Sequence, residues 1–464
     1  MRKLLLVVLI FILSIVSLVL LFNTFVNTSK QDQIQTAKKF PPYPEANERL
    51  ASVLRIPTTL DSSSLNNFNR FHARLKQYYP TLFNNPNVEW QHFEGLSLVA
   101  KWVGRTSELA PIVLVAEQYT EEPSLASIPD WSFNPFMGKI EQGIIYGQGT
   151  QGGKTALMAM LEVFNKLVEQ DILPNRTIYF AFPHNSEQGE QAIINALKQA
   201  KIHPDFILKT GGLISQDMLW DITMPTALIG IGAPSISTIT LESKDISKEV
   251  LEQQIQQLRT VLPFVKIEGN AVQHFIKHLS PEMNFSRRLV FSNQWLLSNV
   301  QQKWLQKNAF SKATFGHNIY TQATTVDSSN TRITELQYVA PHIPTNLEQW
   351  LKNHLQHPQI RLLKAPKIQY TNQILSPVNN RTYRFISNTC KEVFSDVITA
   401  PTLVQTPSKV NWQTTIAADI YYFHPVVYTS DTWAQHQKKV DAKISVKNYQ
   451  QMIQFYYQLI NNSI

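Results

Sequence analysis

The densest run of chemistry-bearing residues is Gly147-Gln148-Gly149-Thr150-Gln151-Gly152-Gly153-Lys154-Thr155, between a short apolar segment and an amphipathic one. A glycine turn that opens a helix offers backbone N–H groups to a phosphate, and a following lysine can reach its oxygens. The strict pattern needs a glycine, four intervening residues and then Gly-Lys-Thr, which puts the first glycine at position 148, where this chain has Gln148. A tight turn is the simpler reading, with nucleotide binding through 147–155 kept as an alternative. His274 and His278 stand four apart, so one helix face would carry both toward a metal. No acidic residue lies between them to act as a base, and no third ligand is evident, so ordinary histidines are expected there. The chain has no Gly-x-Ser-x-Gly, so a serine-hydrolase reading has no anchor.

These residues need elements to hold them. Helical periodicity predicts helices over 45–54, 65–79, 154–170 and 188–200, and apolar runs predict strands over 96–103, 112–117, 143–146, 177–183 and 206–208. Alternation of this kind argues for an α/β layer on a largely parallel sheet. From about residue 232 the pattern changes. Segments 235–243, 318–326 and 331–339 alternate apolar and polar, with helices over 248–258 and 347–355, as in a smaller α+β unit. The α/β character resumes near 365 and closes with a helix over 445–461. The expected division is a discontinuous main domain, 43–231 and 365–464, with an inserted lid domain at 232–364.

Composition narrows the class. At 464 residues the chain has room for about two or three domains. Apolar residues at 43% exclude a disordered chain, and the net charge of +8 comes from scattered Lys and Arg, so no nucleic acid is expected as a partner. The single cysteine, Cys390, excludes an intrachain disulfide and a Cys-based zinc cluster. Positions 4–22 are apolar except for Ser14 and Ser17, and nineteen residues at about 1.5 Å each span roughly 28 Å. No small-x-small cleavage signal follows, so 1–27 reads as an uncleaved membrane anchor and 28–42, ending in Pro41-Pro42, as a linker. Arg2 and Lys3 favour a cytoplasmic N-terminus, which puts the body outside the cytoplasm, in a periplasm or lumen.

Several phrases, in order, resemble the zinc-dependent aminoacylase/carboxypeptidase S family of metallopeptidases. Residues 143–154, GIIYGQGTQGGK, are similar to its G-x-I-Y-G-R-G-T-x-D-D-K, and Trp131-Ser132-Phe133-Asn134-Pro135-Phe136 to W-x-x-x-P-F. Residues 206–212, FILKTGG, resemble F-I-x-D-E-G-G; 291–296, FSNQWL, resemble a lid segment of the carboxypeptidase S branch; and 443–446, KISV, resemble the end of E-K-I-S-V. The resemblance implies a three-layer α/β domain with an inserted lid or dimerisation domain. It also implies two zinc ions held by His, Asp, Glu, Asp and His, a glutamate as general base, and an aspartate that orients the first His.

Position by position, this chain departs from that set. Glu117 stands where the first ligand His belongs, and Tyr119 where the orienting Asp does. Gly152 replaces the bridging Asp, Ser186 the general base, Lys209 the next ligand Asp and, by register from 444–446, Lys438 the final His. Only Glu187 keeps a ligand type. Lys409, Asn411 and Val339 fall at the family's substrate-binding positions. Glycine offers no ligand, an ammonium repels a dication, and a serine hydroxyl is a poor proton acceptor at neutral pH. The expectation is therefore a membrane-anchored pseudo-hydrolase with no metal and no cofactor, binding a peptide or acyl-amino-acid ligand, with a homodimer through the lid left open. Glu117–Lys209 and Glu187–Lys438 ion pairs are expected in the place of the zincs. The alternative is an active zinc-dependent carboxypeptidase or N-acyl-amino-acid amidohydrolase, built on His184, His436, Glu117 and Glu187.

Overall fold

The computed structural model describes residues 2–37, 41–60, 64–185, 187–262, 271–326, 331–370, 374–405, 410, 412–416 and 418–463. Its centre is the strand Ile112–Val115, buried along its whole length. Side chains alternate across a strand, so Ile112 and Leu114 face one core and Val113 and Val115 the other. The first core is closed by the helices Gly153–Glu169 and Val446–Asn461, the second by Gln188–Gln199 with Trp412. Helix, sheet and helix thus form the three-layer α/β fold expected from the sequence.

The sheet is mixed rather than largely parallel. Ile178–Phe182, Ile112–Val115, Phe206–Lys209 and Asp419–Tyr422 run parallel at its centre. Val88–Phe93 and Ser97–Trp102 add an antiparallel edge on one side, while Thr226–Gly232 and Leu213–Ser215 bring antiparallel pairings on the other. A second, three-stranded sheet joins Lys443–Ser445 to Ile144–Tyr146 and Lys139–Glu141, which places the 443–446 phrase directly beside the glycine-rich loop.

The inserted region is not one body. A four-stranded antiparallel sheet, in the order Asn318–Val326, Thr331–Ala340, Ser235–Lys244, Ile360–Tyr370, carries Lys248–Thr260 and Leu347–His354 on one face. Residues 271–315, placed by chain order in the same lid, pack into the main core instead. Val272, Phe275, Ile276 and Leu279 form the apolar stripe of the helix Ala271–Leu279, and that stripe is buried with the strands of the large sheet.

The apolar helix at the N-terminus spans Arg2–Val26, long enough and apolar enough by composition to cross a membrane. The segment that follows is fastened down rather than loose. Gln31 exchanges hydrogen bonds with the Thr399 backbone, and the Lys391 ammonium donates to the Asp32 carbonyl.

Candidate functional site

In sheets of this kind, side chains at the carboxyl ends of the parallel strands converge on a crevice. Here Val115 and Lys209 are paired at that end, Glu117 follows two residues after Val115, and His184 follows two after Phe182. The result is an ionic cluster. Lys209 Nζ lies 3.2 Å from Glu117 Oε1 and donates to both carboxylate oxygens of Glu190, at 2.8 and 2.7 Å. The Thr210 hydroxyl donates to Glu117 at 2.8 Å, and the Trp412 indole N–H donates to Glu190. All three charged side chains are withdrawn from solvent, Glu190 completely.

Burial and pairing compete at each group. Burial raises the Glu117 carboxyl, but the Lys209 charge and the Thr210 hydroxyl outweigh it and hold Glu117 below the usual carboxylate range. Glu190 moves up, because burial and the neighbouring Glu117 charge outweigh Lys209. Burial opposes the Lys209 charge, yet its two carboxylates keep it firmly protonated. One ammonium therefore serves two buried carboxylates, and Glu190 carries the strain of that imbalance.

The Glu117–Lys209 pair is where the sequence puts it, but Glu190 was not foreseen. Its one signal is its place three residues into the helix that Glu187 caps, on the inward face. Glu187 itself is exposed at the start of that helix. The expected Glu187–Lys438 pair is a correction: Lys438 is an exposed helix C-cap, and among the described residues no ion pair joins it to Glu187. The reason is local. The helix Ser430–Gln437 turns His436 inward, so that His436 Nδ1 lies 2.6 Å from Gln151 Oε1, and ends at Lys438, which it leaves on the outside.

Beside His436 stands His424, also missed in the sequence. It is buried, neither ring nitrogen has a hydrogen-bond partner among the described residues, and burial lowers it to about 4. His184 is held at both nitrogens, by Ser97 Oγ and by Asn185 Nδ2, each at 2.8 Å. Gly152 caps the helix Gly153–Glu169 with open space where a side chain would start, whereas a Cβ on Gly153 would come within 2.5 Å of the Glu117 backbone. Tyr119 is half-buried in the loop beyond Gln118. Ser186, Lys409 and Asn411 lie outside the described residues.

The remaining candidates stand apart from this cluster. Lys154 is fully buried, donates to the Ile56 carbonyl at 2.9 Å and faces the Phe71 ring, so the glycine-rich loop does not present its lysine to a phosphate. His278 is buried and spends Nδ1 on the His274 carbonyl. Among the described residues, no three His, Cys, Asp or Glu side chains gather as a metal-binding group. Val339 is buried in the lid sheet opposite Ile236. Ile236, with Glu94, Glu187, Gln191, Asn195 and Gln369, lines a cavity of about 670 Å3 between the helix Gln188–Gln199 and the lid sheet.

Comparison with known proteins agrees with this architecture. A family model described as peptidase family M20/M25/M40 matches residues 123–462. The chain is 25% identical to the N-fatty-acyl-amino acid synthase/hydrolase PM20D1.1 of Danio rerio, over 98% of this chain and 95% of that one. It is also 25% identical to the probable carboxypeptidase S-like 2 of Dictyostelium discoideum, over 85% and 79%. Among solved structures, the di-peptidase Dug1p of Saccharomyces cerevisiae superposes with a TM-score of 0.59 at 12% identity, covering 90% of this chain and 96% of that one. The M20 family metallo-carboxypeptidase Sso-CP2 of Sulfolobus solfataricus gives 0.57 at 14%, covering 90% and 98%.

Proposed function

This chain belongs to peptidase family M20/M25/M40, and we propose that within it an ion-paired lysine has replaced the zinc centre, leaving a membrane-anchored protein that binds its ligand without hydrolysing it. Lys209 carries the reading. Its ammonium engages Glu117 and Glu190, the two carboxylates nearest the strand ends, and its charge would repel a dication placed among them. Gly152 supplies no donor where the resemblance puts the bridging carboxylate, and His184 is committed at both nitrogens. These residues do not fit a zinc pair, and no hydrolytic step is routed through one.

The ligand class comes from the relatives' names together with the cavity beside Glu187. An N-fatty-acyl amino acid and a peptide C-terminus share a carboxylate next to an amide, and that is the class proposed for the cleft. An uncleaved anchor is supported by contacts that removal of residues 1–27 would forfeit. Asn23 Nδ2 donates to Asn293 Oδ1 at 2.9 Å, and Asn27 Nδ2 donates to Ser280 and Ser292 at 2.8 and 2.9 Å.

The test is hydrolysis of N-fatty-acyl amino acids and blocked dipeptides by the full chain with zinc added, alongside calorimetric binding of the same compounds. Heat of binding without product supports the reading. Zinc-dependent product formation overturns it, and binding of neither class withdraws the ligand proposal.

A further inference from the structure

Two helices beside the anchor carry a row of large apolar side chains in the open. Phe285 is 52% exposed, Trp295 57%, Leu296 49% and Val300 37%. They belong to Phe285–Ser292 and Gln294–Lys307, helices whose other faces bury Phe291 and Leu305 in the main core. The last turns of the N-terminal helix are tied to the same two helices. Asn293 Nδ2 donates to the Leu20 carbonyl at 3.0 Å and to Thr24 Oγ1 at 3.3 Å. The Arg288 guanidinium donates to the Thr24 and Asn27 carbonyls at 3.0 and 2.6 Å, satisfying the helix C-terminus, and the Phe25 and Phe285 rings lie 6.1 Å apart.

We propose that Phe285, Trp295, Leu296 and Val300 form a lateral membrane contact, entering the boundary between lipid headgroups and acyl chains next to the anchor. The proposal rests on the reading of Arg2–Val26 as a membrane anchor. Continuity fixes the occupant. Leu20, which Asn293 touches, lies six residues before the end of that helix, or about 9 Å down its axis. With the anchor in a bilayer, the turn carrying Trp295 and Leu296, immediately after Asn293, stands at headgroup depth. Tryptophan suits that depth, having an apolar body and a polar N–H. Lys303 and Lys307, exposed on the following turns, are long enough to reach lipid phosphates. The contact would hold the globular part at a fixed tilt to the membrane rather than on a loose tether.

The test uses the full chain in phosphatidylcholine/phosphatidylglycerol vesicles. Cys390 is the sole cysteine and is buried, so an introduced cysteine takes a fluorescent label selectively. Labels are placed by Phe11→Cys in the anchor, Trp295→Cys and Leu296→Cys in the contact, and Gln91→Cys on the strand Val88–Phe93 at the opposite sheet edge. Lipids spin-labelled along the chain should quench position 11, and lipids spin-labelled near the headgroup should quench 295 and 296, with 91 bright in both. Quenching at 11 but at neither 295 nor 296 overturns this proposal and leaves the anchor standing. No quenching at 11 overturns both.

Discussion

Lys209 donates to both carboxylate oxygens of Glu190, at 2.8 and 2.7 Å, and so sits closer to Glu190 than to Glu117 at 3.2 Å. A lysine in this position is a structural element. It neutralises buried carboxylates at the carboxyl ends of the central strands, where other folds of this kind place a ligand. Removing it should be costly. Lys209→Met leaves two buried carboxylates without a cation and is expected to cost about 3–5 kcal/mol in unfolding by denaturant. Adding Glu190→Gln should recover part of that loss; strictly additive costs would show that the pair is not coupled.

Adjacent glycines should respond in opposite ways. A side chain at Gly152 meets nothing within 4 Å, and the position is a helix N-cap, so Gly152→Asp should change stability by no more than about 0.5 kcal/mol. Gly153→Ala drives a methyl to within 2.5 Å of the Glu117 backbone, and more than about 2 kcal/mol of destabilisation is expected. Thermal unfolding of the two variants side by side reads the contrast.

The elements were legible where period and length agree. The segments 112–117, 154–170 and 188–200 correspond to Ile112–Val115, Gly153–Glu169 and Gln188–Gln199 because each has a run of apolar residues at one period. What the sequence hid was tertiary. Glu190 and Glu187 differ only in which way one helix turn points them, and His436 rather than Lys438 faces Gln151 because of where a short helix ends. The helices of 271–315 sit within the inserted stretch in chain order, yet their apolar stripe matches the large sheet, a pairing that no local pattern announces.

Acid should destabilise the fold through its buried histidines. His72, His278, His317 and His424 are each lowered to about 4 by burial, so the native state holds them neutral. Below the unfolded histidine value of ~6.5 the unfolded chain binds protons that the native chain does not, so stability falls from there toward pH 4. The melting temperature is expected to drop by more than about 5 °C between pH 7 and pH 5. The drop should shrink in His424→Gln; an unchanged slope in that variant would remove His424 from the account.

Nucleotides should leave the protein unmoved. Lys154 Nζ is bonded to the Ile56 carbonyl in the interior, so Mg-ATP at millimolar concentration is expected to give no melting shift. A reproducible rise that Lys154→Met abolishes would reinstate a phosphate site at the glycine-rich loop.

Zinc content is the direct test of the central claim. The full chain, purified with zinc present and washed free of loose metal, should hold less than about 0.1 zinc per chain by elemental analysis, against the one or two that a hydrolytic centre of this family needs. One or two tightly held ions in the wild-type chain would contradict the account, and would mean that Lys209 gives up its carboxylates to a metal.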